Sequence, residues 1–452
     1  MSYYDANRDR FLEGLKAFLR IPSISTLPEH QPDIRRAAEF VRDELQQAGL
    51  SGVELIEGPG NPLVYGEWLG APGKPTLLLY GHYDVQPPDP LEEWKSPPFE
   101  PEIRGDNIYA RGACDDKGQT YILIKAVEGF LKTEGKLPVN VRFLIEGEEE
   151  YGGKHIEAYV ASKPARLQAD AAVICDTEMF APDLPTLCVG LRGIVYLELE
   201  VRGAGHDLHS GVYGGVAPNP IQAIAEILTA LKDRDGHMLI PGFYDRVRPP
   251  SAEERAAWAR LPFNEEEYKS KEMEVSELVG EPEIPVLERV WARPTLEVHG
   301  IRGGFTGEGA KTVIPARALA KISMRLVADQ NPNEALEQFR AAVEKVRPRG
   351  VSAEVRLIHG AAPSLVDPTN PFIQASAKAM SEVFGKETVY IRSGGSIPIV
   401  GAFNQHLGIP SVLMGFGLPD DNLHAPNEKF HLPNFFRGIE AVARYFRLLG
   451  EL

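Results

Sequence analysis

Cysteine is scarce in this chain. Cys114, Cys175 and Cys188 are the only three in 452 residues, and no pair has CxxC spacing. That excludes a disulfide framework and suits a reducing cytoplasm. Long apolar runs are also missing: none approaches the ~18 residues that cross a bilayer. Residues 1–25 lack a basic stretch followed by an apolar one, so no signal peptide is expected. Basic charge is in deficit, with 48 Lys+Arg against 64 Asp+Glu and a formal net charge of −16. A surplus of this sign disfavours nucleic acid or an anionic membrane as main partner, and it allows carboxylates to be neutralised by bound cations. There is no internal repeat and no low-complexity tract. No G-x-S-x-G elbow is present, which disfavours a serine hydrolase. "GFTGEGAKT" (304–312) only superficially suggests a P-loop. Ala310 separates the last glycine from the lysine, and "TVIP" reads as strand where a helix must begin.

What is there is an ordinary globular composition, 43% hydrophobic and 25% charged, in a chain too long for one core. Two domains are expected. Phe11, Leu12, Leu15, Phe18 and Leu19 give a first amphipathic helix, which Pro22 ends. Ile34, Ala37, Ala38, Val41 and Leu45 give a second, stopped at Gly49. "TLLLYGHYDV" (76–85), "LPVNVRFLIEG" (137–147) and "AAVICD" (171–176) read as strands, with a helix over 118–132. This alternation predicts an α/β domain with a mostly parallel sheet. Near residue 190 the pattern changes. A strand with one exposed face (193–203), a helix (219–232), strands at 295–299 and 316–327, a helix (333–346) and a strand (351–358) follow. That order is the ferredoxin-like one, interrupted by a charged, partly helical insertion at 245–290. The α/β style then returns and closes on a helix over 432–448. The expected architecture is a discontinuous catalytic α/β domain (1–190 and 364–452) carrying an inserted α+β domain (191–363).

Four acidic or histidine clusters fall where predicted strands give way to loops: "GHYDVQP" (81–87), "GACDDKG" (112–118), "EGEEEYGG" (146–153) and "CDTE" (175–178). A fifth, "NLHAPNEKF" (422–430), lies beyond the insertion. Each has a plainer reading in isolation. The acidic run is usually solvated loop, Asp115–Asp116 a helix cap, His82 a packed histidine and His424 part of an ordinary loop. Open α/β folds bind ligands at the carboxyl ends of parallel strands, however, and five coincidences there point to one site. Carboxylates mixed with neutral imidazoles suit zinc, manganese or cobalt without sulfur.

These clusters, together with "RGACDDKG", "HDLHSGVYGG", "GAKTVIPA", "RLV" and "SGGSIP", resemble the co-catalytic zinc metallopeptidases. That family includes carnosinases, cytosolic nonspecific dipeptidases, aminoacylases and succinyl-diaminopimelate desuccinylase. The motifs run in the family's order over nearly the whole chain, and the carnosinase and nonspecific dipeptidase branch is the most similar. The resemblance implies a zinc-peptidase fold whose inserted domain acts as lid and dimerisation module. It implies two divalent metal ions per subunit: zinc, with manganese or cobalt as alternatives. His82 and Asp176 would hold one ion, Glu150 and His424 the other, and Asp115 both, ahead of a cis peptide to Asp116. Asp84 would orient His82. Glu149 would be the general base acting on a metal-bridging water. His209, in "HDLHSGVYGG", would stabilise the tetrahedral oxyanion from the partner subunit of a homodimer. Thr312 would also cross the dimer. Arg325 would clamp the substrate's free carboxylate, with His359, Gly395 and Ser396 as further substrate contacts. Without the resemblance, "HSG" and "GGS" are plain turns and Arg325 a surface arginine.

Glu148 stands where the family commonly has aspartate or an apolar residue, so the register among Glu148, Glu149 and Glu150 stays open at this stage. Cys114 stands where a small residue is usual and is expected to be packed rather than a thiolate. The expected activity is hydrolysis of dipeptides with a free C-terminal carboxylate. Two alternatives are an N-acyl-amino-acid amidohydrolase of the same fold and a non-catalytic metal-binding scaffold. The scaffold predicts eroded ligands, whereas all five ligands and the base are present.

Overall fold

A computed structural model of the chain describes residues 3–451. It divides into two compact units. The first comprises the chain through Val189, Val366–Ile391, and everything from Pro398 on. The second comprises Gly190–Leu365 and Arg392–Ile397.

The first unit is built on a sheet whose centre is parallel. Thr76–His82 pairs in parallel with Asn140–Glu146 on one side and Ala171–Ile174 on the other. Ser411–Leu413 extends the parallel ladder beyond Ala171–Ile174. The antiparallel strands Leu63–Trp68 and Ser51–Ile56 finish one edge. Six of the seven residues in Thr76–His82 are buried, the pattern of a strand covered on both faces. Helix Gln31–Ala48 buries Ile34, Ala37, Ala38, Val41, Leu45 and Ala48. Gly49 ends it at φ 105°, a conformation that favours glycine. Helix Lys117–Thr133 is buried along most of its length, and it packs with helices Arg8–Leu19, Gln31–Ala48 and Leu432–Glu451 into one continuous core.

The order of these strands creates a gap with a purpose. The chain leaves Thr76–His82, crosses through helix Lys117–Thr133 to Asn140–Glu146, and then returns past its starting strand to Ala171–Ile174. The carboxyl end of Thr76–His82 is therefore a topological switch point, where connections diverge and leave a crevice. His82 is its last residue.

The second unit carries a four-stranded antiparallel sheet in the order Thr295–Gly303, Arg317–Leu326, Gly193–Arg202, Ser352–Ala361. Helices Pro220–Leu231 and Pro332–Val346 cover one face and touch each other. Val195, Leu197, Leu199 and Val201 point into that core. The alternate residue Tyr196 lies on the other face, stacked between His299 and His359 at centroid distances of 5.2 and 5.4 Å. The element sequence is the ferredoxin-like one. The insertion resolves into helices Ala252–Trp258, Glu265–Glu267 and Val286–Ala292. The first is closed by a reciprocal cap between Ser251 and Glu254.

Candidate metal centre

His82, Asp115 and Asp176 offer ligand atoms within 4.8 Å of one another, and so do Asp115, Glu150 and His424. The two groups share Asp115. Its Oδ1 lies 3.1 Å from His82 Nε2 and its Oδ2 2.9 Å from His424 Nε2. Asp176 Oδ2 is 3.8 Å from His82 Nε2, and Glu150 Oε2 is 3.3 Å from His424 Nε2. All five residues belong to the first unit. His82 ends one parallel strand, Asp176 and the glutamates follow two others, and Asp115 precedes the crossover helix. The peptide bond between Asp115 and Asp116 is cis.

Asp84 ties the two halves together. Its Oδ1 is 3.3 Å from His82 Nδ1, and its two carboxylate oxygens accept from the backbone amides of Glu149 and Glu150 at 3.3 Å each. One carboxylate thus orients an imidazole and fixes the turn that presents both glutamates. The glutamates of "EGEEEYGG" separate by partner. Glu148 faces away and accepts from the Asn61 amide, the Tyr151 hydroxyl and the His155 amide. Glu150 enters the ligand group, with Gln86 Nε2 donating to its Oε2 at 2.8 Å. Glu149 sits between them and joins neither set. Glu146 is fully buried and accepts from the Tyr80 hydroxyl at 2.7 Å.

Electrostatics mark the site as short of positive charge. Burial pushes Asp176 up to about 7, with the Asp115 charge adding to it. Burial likewise pushes Glu149 and Glu150 up, and neighbouring carboxylates reinforce both shifts. Burial opposes the Asp115 carboxylate too, but hydrogen bonds from His424 and His82 outweigh it and hold Asp115 below the usual range. His424 is pushed up to about 10 by its bonds to Asp115 and Glu150. Among the described residues no lysine or arginine pairs with Asp115, Asp176 or Glu150, and buried Glu150 Oε1 has no hydrogen-bond partner. Buried carboxylates without a basic partner are costly unless a cation joins them. The donor set, two imidazoles and three carboxylates around one shared aspartate, fits two divalent ions.

Glu428 is the site residue that sequence reading missed. It is fully buried and accepts from the backbone amides of Gly112, Cys114 and Asp115 while pairing with buried Arg111 at 2.8 Å. It sets the backbone from which Asp115 projects. Asp116 is similar: its Oδ2 accepts from the His82 amide and the Thr120 hydroxyl. Cys114 is fully buried, outside both ligand groups, and burial pushes its thiol up, as a packed residue requires.

The remaining expected residues lie in the second unit. His209 and Thr312 share one exposed patch: Leu208–His209 pairs with Val313–Ile314, and the Ser210 amide donates to Thr312 O. His209 Nδ1 accepts from the Gly211 amide at 3.0 Å. A neutral ring so bonded carries its proton on Nε2, leaving a donor. Arg325 and Ser396 are brought together, with Nη1 donating to Oγ at 2.8 Å. Gly395 N donates to Ser393 Oγ, and His359 stacks on Tyr196.

The sequence profile of peptidase family M20/M25/M40 matches residues 78–448. The chain belongs to that family. A Cys-Gly metallodipeptidase of Candida albicans is 32% identical over 98% of this chain and 95% of that enzyme. A human Beta-Ala-His dipeptidase is 32% identical over 100% of this chain and 92% of its own length. Among solved structures, an M20 family metallo-carboxypeptidase from Sulfolobus solfataricus superposes with a TM-score of 0.88 at 33% identity, covering 98% of this chain and 99% of that one. As an M20 member the protein is a hydrolase of peptide bonds, with the mixed α/β catalytic fold of the family. Among the described residues no helix is long and apolar enough to cross a membrane.

Proposed function

We propose that this M20 enzyme hydrolyses dipeptides bearing a free C-terminal carboxylate, with two divalent metal ions at the paired ligand sets. The observation that carries the reading is the pair of ligand groups sharing Asp115, with the unligated Glu149 one residue before Glu150. His82, Asp176 and Asp115 would hold one ion, and Glu150, His424 and Asp115 the other. Zinc suits the donors, with manganese or cobalt as alternatives. Ions bound there would supply Lewis acidity to the scissile carbonyl and acidify the attacking water.

The chain's own residues do the rest. Glu149 takes the proton of the attacking water and returns it to the leaving amine. Burial and the neighbouring carboxylates push its carboxyl up, and bound cations would lower it again. Asp84 keeps the His82 ring and the 149–150 turn in place. His209, with its proton on Nε2, is suited to stabilise the oxyanion. Arg325, already oriented by Ser396, is suited to the substrate carboxylate, with His359, Gly395 and Ser396 as further substrate contacts.

The second unit is proposed as lid and dimerisation module, with His209 and Thr312 acting on the partner's site. Val212 and Val216, next to His209, are 66% and 83% exposed, and such apolar exposure supports a covered surface. The scarcity of cysteine, three buried residues in the whole chain, supports a cytoplasmic setting.

Turnover of a dipeptide panel by zinc- or manganese-loaded enzyme tests the reading, with N-acetyl and N-succinyl amino acids as competitors. Glu149→Gln should lower kcat by ~10²–10⁴-fold while two metals stay bound. Unchanged kcat would sink the role of Glu149, and turnover confined to the N-acyl substrates would favour the amidohydrolase alternative. Mixing the inactive His209→Ala and Glu149→Gln chains should restore partial activity. No recovery despite proven subunit exchange would refute completion across a dimer.

A further inference from the structure

The second unit holds a cleft of about 620 Å³ whose wall carries six cationic side chains, Arg192, Lys232, Arg234, Arg289, Arg293 and Arg325. Three acidic residues, Asp233, Glu281 and Glu297, share the wall. A cationic cleft on a chain of net charge −16 calls for a reason. The acids do not supply one, because they are already committed. Glu297 pairs with Lys232 at 3.1 Å. Glu281 accepts from Arg293 Nε at 2.6 Å and lies 3.1 Å from His237 Nδ1. Asp233 accepts from the amides of Asp235 and His237.

Among the described residues four guanidinium groups of the wall have no carboxylate partner: Arg234 is exposed, Arg289 gives its donors to the Ile284 and Val279 carbonyls, and Arg192 and Arg325 remain as a half-buried pair. Arg325 gives one donor to Ser396 Oγ at 2.8 Å, and Ser396 Oγ donates in turn to the Arg192 carbonyl at 2.5 Å. Arg192 gives its Nε to Gly394 O at 2.9 Å. A side chain at Gly394 would lie 2.8 Å from Arg192 Nη2, so glycine lets the guanidinium press against this loop. Both arginines are partly buried. Burial and then the Arg325 charge depress Arg192 to about 10, with only Glu297 and Tyr268 opposing. Two half-buried like charges, linked through Ser396 Oγ from the Arg325 guanidinium to the Arg192 backbone, carry a standing electrostatic cost. One carboxylate relieves half of it; a pair relieves both.

We propose that Arg192 and Arg325 form a two-carboxylate site, so that the favoured substrates are dipeptides whose C-terminal residue has an acidic side chain. Arg325 takes the main-chain carboxylate and Arg192 the side-chain one. This rests on the dipeptidase reading and adds to it the class of the C-terminal residue.

The test compares Gly-Glu with Gly-Gln, which match in size and differ in one charge. The metal-loaded enzyme should show a kcat/KM ratio of at least about tenfold in favour of Gly-Glu, expressed mainly in KM, as a charge-assisted bond pair predicts. The ratio should fall towards one in Arg192→Gln and be partly kept in Arg192→Lys. Calorimetric titration of the same holoenzyme with L-glutamate and L-glutamine gives a readout independent of turnover. Glutamate should bind more tightly, and raised salt should narrow the difference. A ratio near one in the unmodified enzyme, or equal affinity for the two amino acids, overturns the proposal. Absence of dipeptide turnover together with tighter glutamate binding would defeat the dipeptidase reading while leaving the two-carboxylate site standing.

Discussion

At the scale of single residues, the centre depends on side chains that never need to touch a metal. Asp84 holds the His82 ring and two backbone amides at once. Asp84→Asn should keep the fold and weaken metal affinity ~10–100-fold, measured by competition with a chromophoric chelator; unchanged affinity would remove Asp84 from the design. Glu428→Gln leaves fully buried Arg111 without its counter-charge. The cost should reach ~3–5 kcal/mol, seen as a lower denaturation midpoint, and metal stoichiometry should fall because the Asp115 backbone loses its anchor. The clusters that contain His82, Asp115, Glu150, Asp176 and His424 stand out in the sequence because carboxylates and imidazoles at strand ends carry their chemistry in their type. Glu428 was not, although it lies within the quoted "NLHAPNEKF". Its partners are more than three hundred residues away in sequence, and nothing local distinguishes it from a solvated glutamate. Glu148 is the same case, since its role is fixed by Asn61 and His155.

At the scale of elements, strand ends deliver the site and glycines let the elements close on it. A methyl group at Gly81 would lie 2.0 Å from Thr120 Oγ1 and 2.8 Å from Asp116 Oδ2. Gly81→Ala should therefore displace Thr120 and pull Asp116 off the His82 amide, with a cost of ~1–3 kcal/mol and reduced metal occupancy. Full occupancy with unaltered stability would show that the contact is slack. The central strands were readable because burial on both faces demands unbroken apolar runs, and the ferredoxin-like order was readable from alternation in 193–203. The edge strands Ser51–Ile56 and Leu63–Trp68 were not individually predicted. The first is half exposed throughout and carries no clear period. The helices of the insertion were only loosely foreseen. Even the cap before Ala252–Trp258 is an ordinary Ser-x-x-Glu until its reciprocal bonds are seen.

At the scale of the whole molecule, metal and protons should compete for the same acidic crevice. Burial leaves Asp176 and Glu178 at about 7 and Glu146 at about 8. In each case the folded chain keeps a proton that the unfolded chain releases near its ordinary ~4, so stability falls as pH rises through that interval. His424, raised to about 10, acts with the same sign: its contribution is complete below ~6.5 and fades above. Asp115, held low, contributes stability that is complete above ~4 and is lost as pH falls below it. Lys117, depressed to about 7 by burial, opposes the trend only above that value. Metal-free protein should thus melt at a lower temperature at pH 7 than at pH 5.5. Zinc should raise the midpoint more at pH 7, because fewer protons must be displaced there. Thermal melts with and without chelator read both effects, and a flat or rising metal-free profile would contradict the charge accounting.

The division of labour between the units has an evolutionary consequence. Every ligand-group residue lies in one unit, and Arg192 and Arg325 of the cleft lie in the other. Substitutions that retune which peptide is accepted can therefore accumulate without touching the atoms that hold metal. A lineage built this way can exchange one diet for another while inheriting its reaction intact.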